Sequence, residues 1–258
     1  MSIFFEKFHG TGNDFIIINN LDSRYKLTEN LIKQMCHRRF GIGSDGLLEI
    51  LKSKNYDFKM LYYNSDGLEG TMCGNGGRCA VSFAYKHGII ATETVFEAVD
   101  GLHEAKVLDN GNIKLKMNNV LQVTNYDDGI FLDTGSPHFV VDKTGLKKFD
   151  EYAEGLKLRN DKRFAPNGLN VNFIDIISDE TLHVTTYERG VENLTYSCGT
   201  GAIASAIVSG LMKADGNYRI KTIFKGGELF VNYKKAGTSF TDVYLEGPAE
   251  YIMNGSYK

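Results

Sequence analysis

The sequence predicts an α+β fold made of two pseudo-symmetric halves, and three observations point to it. Short β-branched and aromatic runs recur between frequent turn signals such as Asp66-Gly67, Asn110-Gly111 and Asp215-Gly216. Two segments, 76–86 and 201–213, are apolar nearly all round, the pattern of a helix buried on every side. Both open on the same motif, Cys73-Gly74-Asn75-Gly76 and Cys198-Gly199-Thr200-Gly201, half a chain length apart. One design (strands, a Cys-Gly-x-Gly turn, a buried helix, more strands) is therefore used twice.

The elements follow in order. Strands are expected over 15–18, 58–63, 94–98, 171–177, 183–187, 220–224 and 242–246. A helix over 28–37 has Thr28 placed to cap it, and a second is expected over 147–158. The two apolar helices stop at His87-Gly88 and near Asp215-Gly216, as helices often do at glycine. The boundary falls near 117–121, dividing the chain into 1–118 and 119–246.

Bulk properties exclude several classes. The 258 residues are 42% hydrophobic and 24% charged with a formal net charge of -3, an ordinary globular composition. Basic residues come in pairs at most, so no nucleic-acid partner is expected. No apolar run approaches the ~20 residues of a membrane span. No signal peptide is visible at the start, so a reducing cytoplasmic setting with four thiols is expected. Cys-x-x-Cys and His-Glu-x-x-His are absent, so no metal site is expected. Gly41-x-Gly43-x-x-Gly46 matches a dinucleotide fingerprint, but a helix precedes it and a strand follows, the reverse of the required context.

A cysteine at a helix N-terminus meets the partial positive charge of unpaired N–H groups, which stabilises thiolate. The glycines beside it let backbone N–H groups close on a carboxylate. Two such cradles suit inversion of a carbon centre, where one group removes a proton from one face and another delivers one to the opposite face. Cys73 and Cys198 are thus the candidate acid–base pair, with no cofactor. Cys36 and Cys79 lack this context and are expected to be packing residues.

The chain resembles the diaminopimelate epimerases over nearly its whole length. The resemblance is carried by His9-Gly10-Thr11-Gly12-Asn13-Asp14-Phe15, Gly41-Ile42-Gly43-Ser44-Asp45-Gly46, Asn64-Ser65-Asp66-Gly67 and Met72-Cys73-Gly74-Asn75-Gly76-Gly77-Arg78-Cys79. It continues in Gly135-Ser136-Pro137-His138, Asn170-Val171-Asn172-Phe173, Tyr187-Glu188-Arg189-Gly190 and Cys198-Gly199-Thr200-Gly201-Ala202. It implies a homodimeric cytosolic enzyme interconverting LL- and meso-2,6-diaminopimelate for lysine and peptidoglycan precursors, without pyridoxal phosphate or metal. It implies that each half is a β-barrel-like antiparallel sheet around a central helix, that the active site is the cleft between them, and that the tail 247–258 returns to the first half.

Residue by residue, the resemblance maps the thiol pair onto Cys73 and Cys198. It maps the carboxylate cradle onto Gly74, Asn75, Gly199 and Thr200. Substrate contacts map onto Asn13, Asn64, Asn170, Glu188 and Arg189, and thiol-tuning positions onto His138 and Glu188. Ordinary alternatives stand beside these: turn residues for Asn13 and Asn64, solvated strand charges for Glu188-Arg189, an exposed loop histidine for His138. Two departures stand out: some members have glutamine at Gly46 and asparagine at Ser136, which bears on recognition of the distal end of the substrate.

Three rivals are set against this. A proline or hydroxyproline racemase shares the cysteine pair, but such enzymes tend to have histidine where this chain has Asn75. A non-catalytic carboxylate-binding protein would keep the glycines without needing thiols. A redox sensor would use opposed thiols to form a disulfide.

Overall fold

The computed structural model describes residues 2–258. The chain divides into two compact units, Met1–Leu115 with Gly247–Lys258, and Lys116–Glu246. Among the described residues no helix is long and apolar enough to cross a membrane.

The first unit contains β1 (Ile3–Gly10), β2 (Asn13–Asn19), α1 (Glu29–Cys36), β3 (Gly46–Leu51), β4 (Lys59–Asn64), α2 (Gly74–Lys86), β5 (Glu93–Ala98), β6 (Gly101–Val107) and β7 (Ile113–Lys116). The C-terminal strand, Glu250–Tyr257, pairs antiparallel with β1. From that strand the neighbours run β1, β2, β3, β4, β5, β6, β7.

The second unit contains β8 (Val123–Tyr126), β9 (Gly129–Asp133), β10 (Pro137–Asp142), α3 (Glu151–Arg159), β11 (Asn170–Ser178), β12 (Thr181–Glu188), β13 (Asn193–Leu194), α4 (Gly199–Ser209), β14 (Gly216–Phe224), β15 (Gly227–Ala236) and β16 (Ser239–Gly247). Its neighbours run β8, β9, β10, β11, β12, β14, β15, β16, with the short β13 also on β12.

The repeat is explicit in these pairings. In each unit they read antiparallel, antiparallel, parallel, antiparallel, parallel, antiparallel, antiparallel. The C-terminal strand does in the first unit what β8 does in the second. The expected purely antiparallel sheet is therefore corrected to a mixed one. The reason is connectivity: a helix between two strands returns the chain to its starting end, so the next strand runs parallel. α1 and α2 make those crossovers in the first unit, α3 and α4 in the second.

The helices obey their local signals. Thr28 caps α1 by accepting from the Leu31 N–H, and Asp150 caps α3 by accepting from the Ala153 N–H. The expected start of the second helix at 147 moves to Glu151, because Asp150 is the better cap. α2 and α4 each begin two residues before the expected start, which makes Cys73 and Cys198 their N-caps.

Both helices are buried. In α2, Cys79, Ala80, Val81, Phe83 and Ala84 are inaccessible or nearly so, and the helix packs against β1, β2, β3, β4 and β6. In α4, Ala202, Ile203, Ala204, Ala206 and Ile207 are wholly buried, in one apolar cluster with Leu132, Val184, Ile220, Val231 and Leu245 from five strands. Each such large side chain contributes on the order of 2 kcal/mol on leaving water. This packing holds the two Cys-Gly-x-Gly turns in place.

Candidate active site

In the first unit a two-residue turn joins β1 to β2, with Gly10 paired to Asn13. Thr11 and Gly12 both have positive φ there (51° and 87°), as this tight hairpin turn requires. Asn13 is thereby set at the start of β2, facing the N-terminus of α2. Its Oδ1 accepts from the Asn75 amide at 3.2 Å and lies 3.8 Å from Cys73 Sγ, which donates to it. Its Nδ2 donates to Asp45 Oδ2 at 2.7 Å. Cys73, Asn75 and Asn13 are thus brought together.

Beneath them lies Arg78, fully buried in α2. Its guanidinium donates to Gly74 O at 3.2 Å, Asn75 Oδ1 at 3.0 Å, Thr11 Oγ1 at 3.5 Å and Pro248 O at 3.4 Å. Burial pushes its pKa down to about 10, so it still carries its proton at neutral pH. Asp14, next to Asn13, takes a bidentate bond from Arg38 and an ion pair from Lys7 at 2.8 Å. Burial alone would raise the Asp14 pKa, but those two cations outweigh it and hold the carboxyl below its ordinary value.

Asn64 ends β4, and its Oδ1 accepts from Tyr62 Oη at 2.9 Å. Tyr62 also explains Gly46: a Cβ there would lie 2.6 Å from the Tyr62 ring and 2.6 Å from Tyr63 O. Burial raises the pKa of both Cys36 and Cys79, with Cys79 wholly enclosed.

In the second unit Cys198 is buried at the start of α4. The Gly201 N–H donates to its Sγ at 3.4 Å, and Thr200 Oγ1 lies 3.5 Å from the same sulfur. Thr200 is itself held by Thr134, whose hydroxyl donates to Thr200 O at 3.1 Å. A Cβ on Gly201 would lie 2.4 Å from Asn172 Oδ1 and 3.0 Å from Thr186 Oγ1, so the turn rests directly on β11 and β12.

Below that turn is His138, wholly buried on β10 and level with Asn170 on β11. Asn172 Nδ2 donates to His138 Nδ1 at 2.8 Å, and Asn172 Oδ1 accepts from Thr186 Oγ1 at 2.8 Å. Burial first, then the Arg189 charge, push the His138 pKa down to about 3, so the ring is neutral. It is not a loop residue. Asn170 Nδ2 donates to Ser136 Oγ at 2.9 Å, and its Oδ1 accepts from the Arg189 N–H at 2.9 Å. Glu188 and Arg189 sit half-buried where β12 ends, with Arg189 Nη1 3.5 Å from Gly168 O.

Among the residues of these networks that escape sequence reasoning are Asp45, Arg78, Asn172 and Thr186. A signal existed for one of them. Asn170 and Asn172 alternate along a strand, so both point to one face. Asp45 and Arg78 lie inside the motifs, but only folding brings Asp45 to Asn13 and Arg78 to Thr11 and Pro248.

Comparison with known proteins places the whole chain in a family. The family model described as diaminopimelate epimerase matches residues 5–123 and 130–252. The chain is 47% identical to the diaminopimelate epimerase of Flavobacterium psychrophilum over 251 residues, 96% of this chain and 97% of that one. It is 40% identical to that of Chlorobaculum tepidum over 258 residues, 96% and 98% of the two. Among solved structures, a PhzF-family phenazine biosynthesis protein of Bacillus anthracis superposes with TM-score 0.79 at 15% identity, covering 100% of this chain and 99% of that one. A hydroxyproline epimerase of Agrobacterium vitis superposes at 0.69 and 15%, covering 99% and 92%. By its family match and these identities, the chain belongs to the diaminopimelate epimerase family.

Proposed function

We propose that the protein interconverts LL- and meso-2,6-diaminopimelate by proton transfer at one α-carbon, with Cys73 and Cys198 as the acid–base pair. The observation that carries this is the placement of one cysteine as N-cap of a buried helix in each of two topologically identical units. One thiolate removes the α-proton and the other thiol supplies a proton to the opposite face, after which their states are exchanged. The α-proton is weakly acidic, so N–H donors at the substrate carboxylate must stabilise the enolate character that develops. The backbone of Gly74, Asn75, Gly199 and Thr200 is proposed to supply them.

Asn13, Asn64, Asn170, Glu188 and Arg189 are proposed to hold the two zwitterionic ends, with Arg189 on a carboxylate. His138 is proposed to support Cys198 through Asn172 and Gly201, and Glu188 to act with it. Burial of α2 and α4 against several strands supports a barrel-like wrap around each helix. A cytoplasmic homodimer belongs to the same proposal, on the family resemblance. The test is LL-diaminopimelate in heavy water. Solvent deuterium should appear at the inverted carbon, and Cys73→Ala and Cys198→Ala should each abolish turnover. Full activity in either variant, or a preference for hydroxyproline over diaminopimelate, would overturn the proposal.

A further inference from the structure

We infer that Asp45 is a positioning residue that sets, through Asn13, which end of the Asn13 amide meets the substrate, with Arg78 fixing the far end of the same relay. This rests on the proposed role of Asn13 as a substrate contact.

An asparagine amide is nearly symmetric in shape, and only its neighbours decide which way round it lies. Here three links agree. Arg78 Nη2 donates to Asn75 Oδ1 at 3.0 Å, Asn75 Nδ2 donates to Asn13 Oδ1 at 3.2 Å, and Asn13 Nδ2 donates to Asp45 Oδ2 at 2.7 Å. A guanidinium can only donate and a carboxylate can only accept, so the two charged ends impose one polarity on both amides. Turning Asn13 over would set its oxygen against the Asp45 carboxylate and its NH2 against that of Asn75.

Both ends are themselves anchored. Arg38 Nη2 holds Asp45 Oδ1 at 2.6 Å, which leaves Oδ2 for Asn13 and for the Asp14 N–H at 3.2 Å. Arg78 is held by Gly74 O and Pro248 O, and Gly10 leaves it room, since a Cβ there would come within 3.0 Å of Nη2 and 3.2 Å of Asn75 O.

The consequence is chemical. Oδ1 of Asn13 is occupied by Asn75 and by the Cys73 thiol. One hydrogen of Nδ2 goes to Asp45, and the other is what remains to offer. Asn13 therefore presents a donor, the correct complement to a carboxylate. The reversed amide would present a carbonyl oxygen to an anion.

Asp45→Asn keeps the size but can donate as well as accept, so it no longer dictates which way round Asn13 lies. KM for diaminopimelate should rise about tenfold with kcat changed less than about threefold, the effect of one misdirected hydrogen bond. In an Asn13→Ala background the same change should alter KM less than about twofold, since its effect passes through Asn13. An equal rise in both backgrounds would overturn the inference. Asn13→Ala without effect on KM would overturn it together with the Asn13 assignment, while deuterium incorporation would still report on the cysteine pair. A second measurement needs no Asp45 variant. In protein labelled with 15N-asparagine, the Asn13 side-chain amide, identified by its loss in Asn13→Ala, should show two well-separated protons, one shifted downfield by the carboxylate. Two protons at ordinary solvent-exposed shifts would overturn it as well.

Discussion

The Asn172 side-chain amide donates to Nδ1 of His138 at 2.8 Å, while its own oxygen is held by the Thr186 hydroxyl at 2.8 Å. A hydroxyl and a neutral imidazole can each donate or accept, so it is burial of the ring that keeps it uncharged, with Nδ1 accepting from Asn172 and Nε2 3.5 Å from Asn170 Nδ2.

That neutral state makes stability depend on pH. The folded His138 pKa is about 3, below the ordinary 6.5, because burial and Arg189 penalise the cation. The unfolded chain binds a proton below 6.5 and the folded one does not, so stability is complete above 6.5 and is lost as pH falls toward 3. Urea unfolding at pH 5.0 should give a free energy about 2 kcal/mol below that at pH 7.5. His138→Gln should remove most of that difference. Equal pH dependence in both proteins would show that the histidine is not the cause.

Asp14 acts in a lower window. Its pKa is depressed, so its ion pairs contribute above the unfolded carboxyl value near 3.9 and are lost as pH falls through the folded value. Asp14→Asn should cost about 2 kcal/mol at pH 7, discounted for the exposure of Arg38, since it leaves Lys7 and Arg38 without their shared partner. Chemical denaturation at pH 7 and pH 3 checks this, with the gap between the proteins narrowing at pH 3.

Gly201→Ala tests how tightly the Cys198 turn is seated. The added methyl would meet Asn172 Oδ1 at 2.4 Å and Cys198 Cβ at 3.2 Å, so the turn or the Asn172–His138 pair must shift. Turnover should fall more than about tenfold, the scale of a small displacement at a reacting group. Steady-state kinetics beside a thermal melt would separate lost activity from lost folding.

Ser205 offers the opposite test. Its hydroxyl is fully buried in α4 with no hydrogen-bond partner among the described residues. Ser205→Ala removes that unsatisfied group and improves helix propensity, so it should stabilise by about 1 kcal/mol. A calorimetric scan should show Tm raised by about 3 °C. A lowered Tm would mean that the hydroxyl has a partner such as an ordered water.

Sequence alone was enough for the repeat, the two buried helices and the cysteines that open them. Each is a local pattern: apolar nearly all round from Ala202 to Val208, a Cys-Gly-x-Gly turn, a capping Thr28. Local pattern is dictated by periodicity and backbone preference, which a chain carries without its neighbours. It did not disclose that Asp45 would meet Asn13, that Arg78 would reach Thr11 and Pro248, or that His138 would be buried level with Asn170. Nor did it disclose the mixed sheets, because parallel pairing follows from which strand a crossover helix returns beside. Those are long-range pairings. Strand register and burial decide them, and burial in turn decides which polar groups must find partners and which way round each amide must lie.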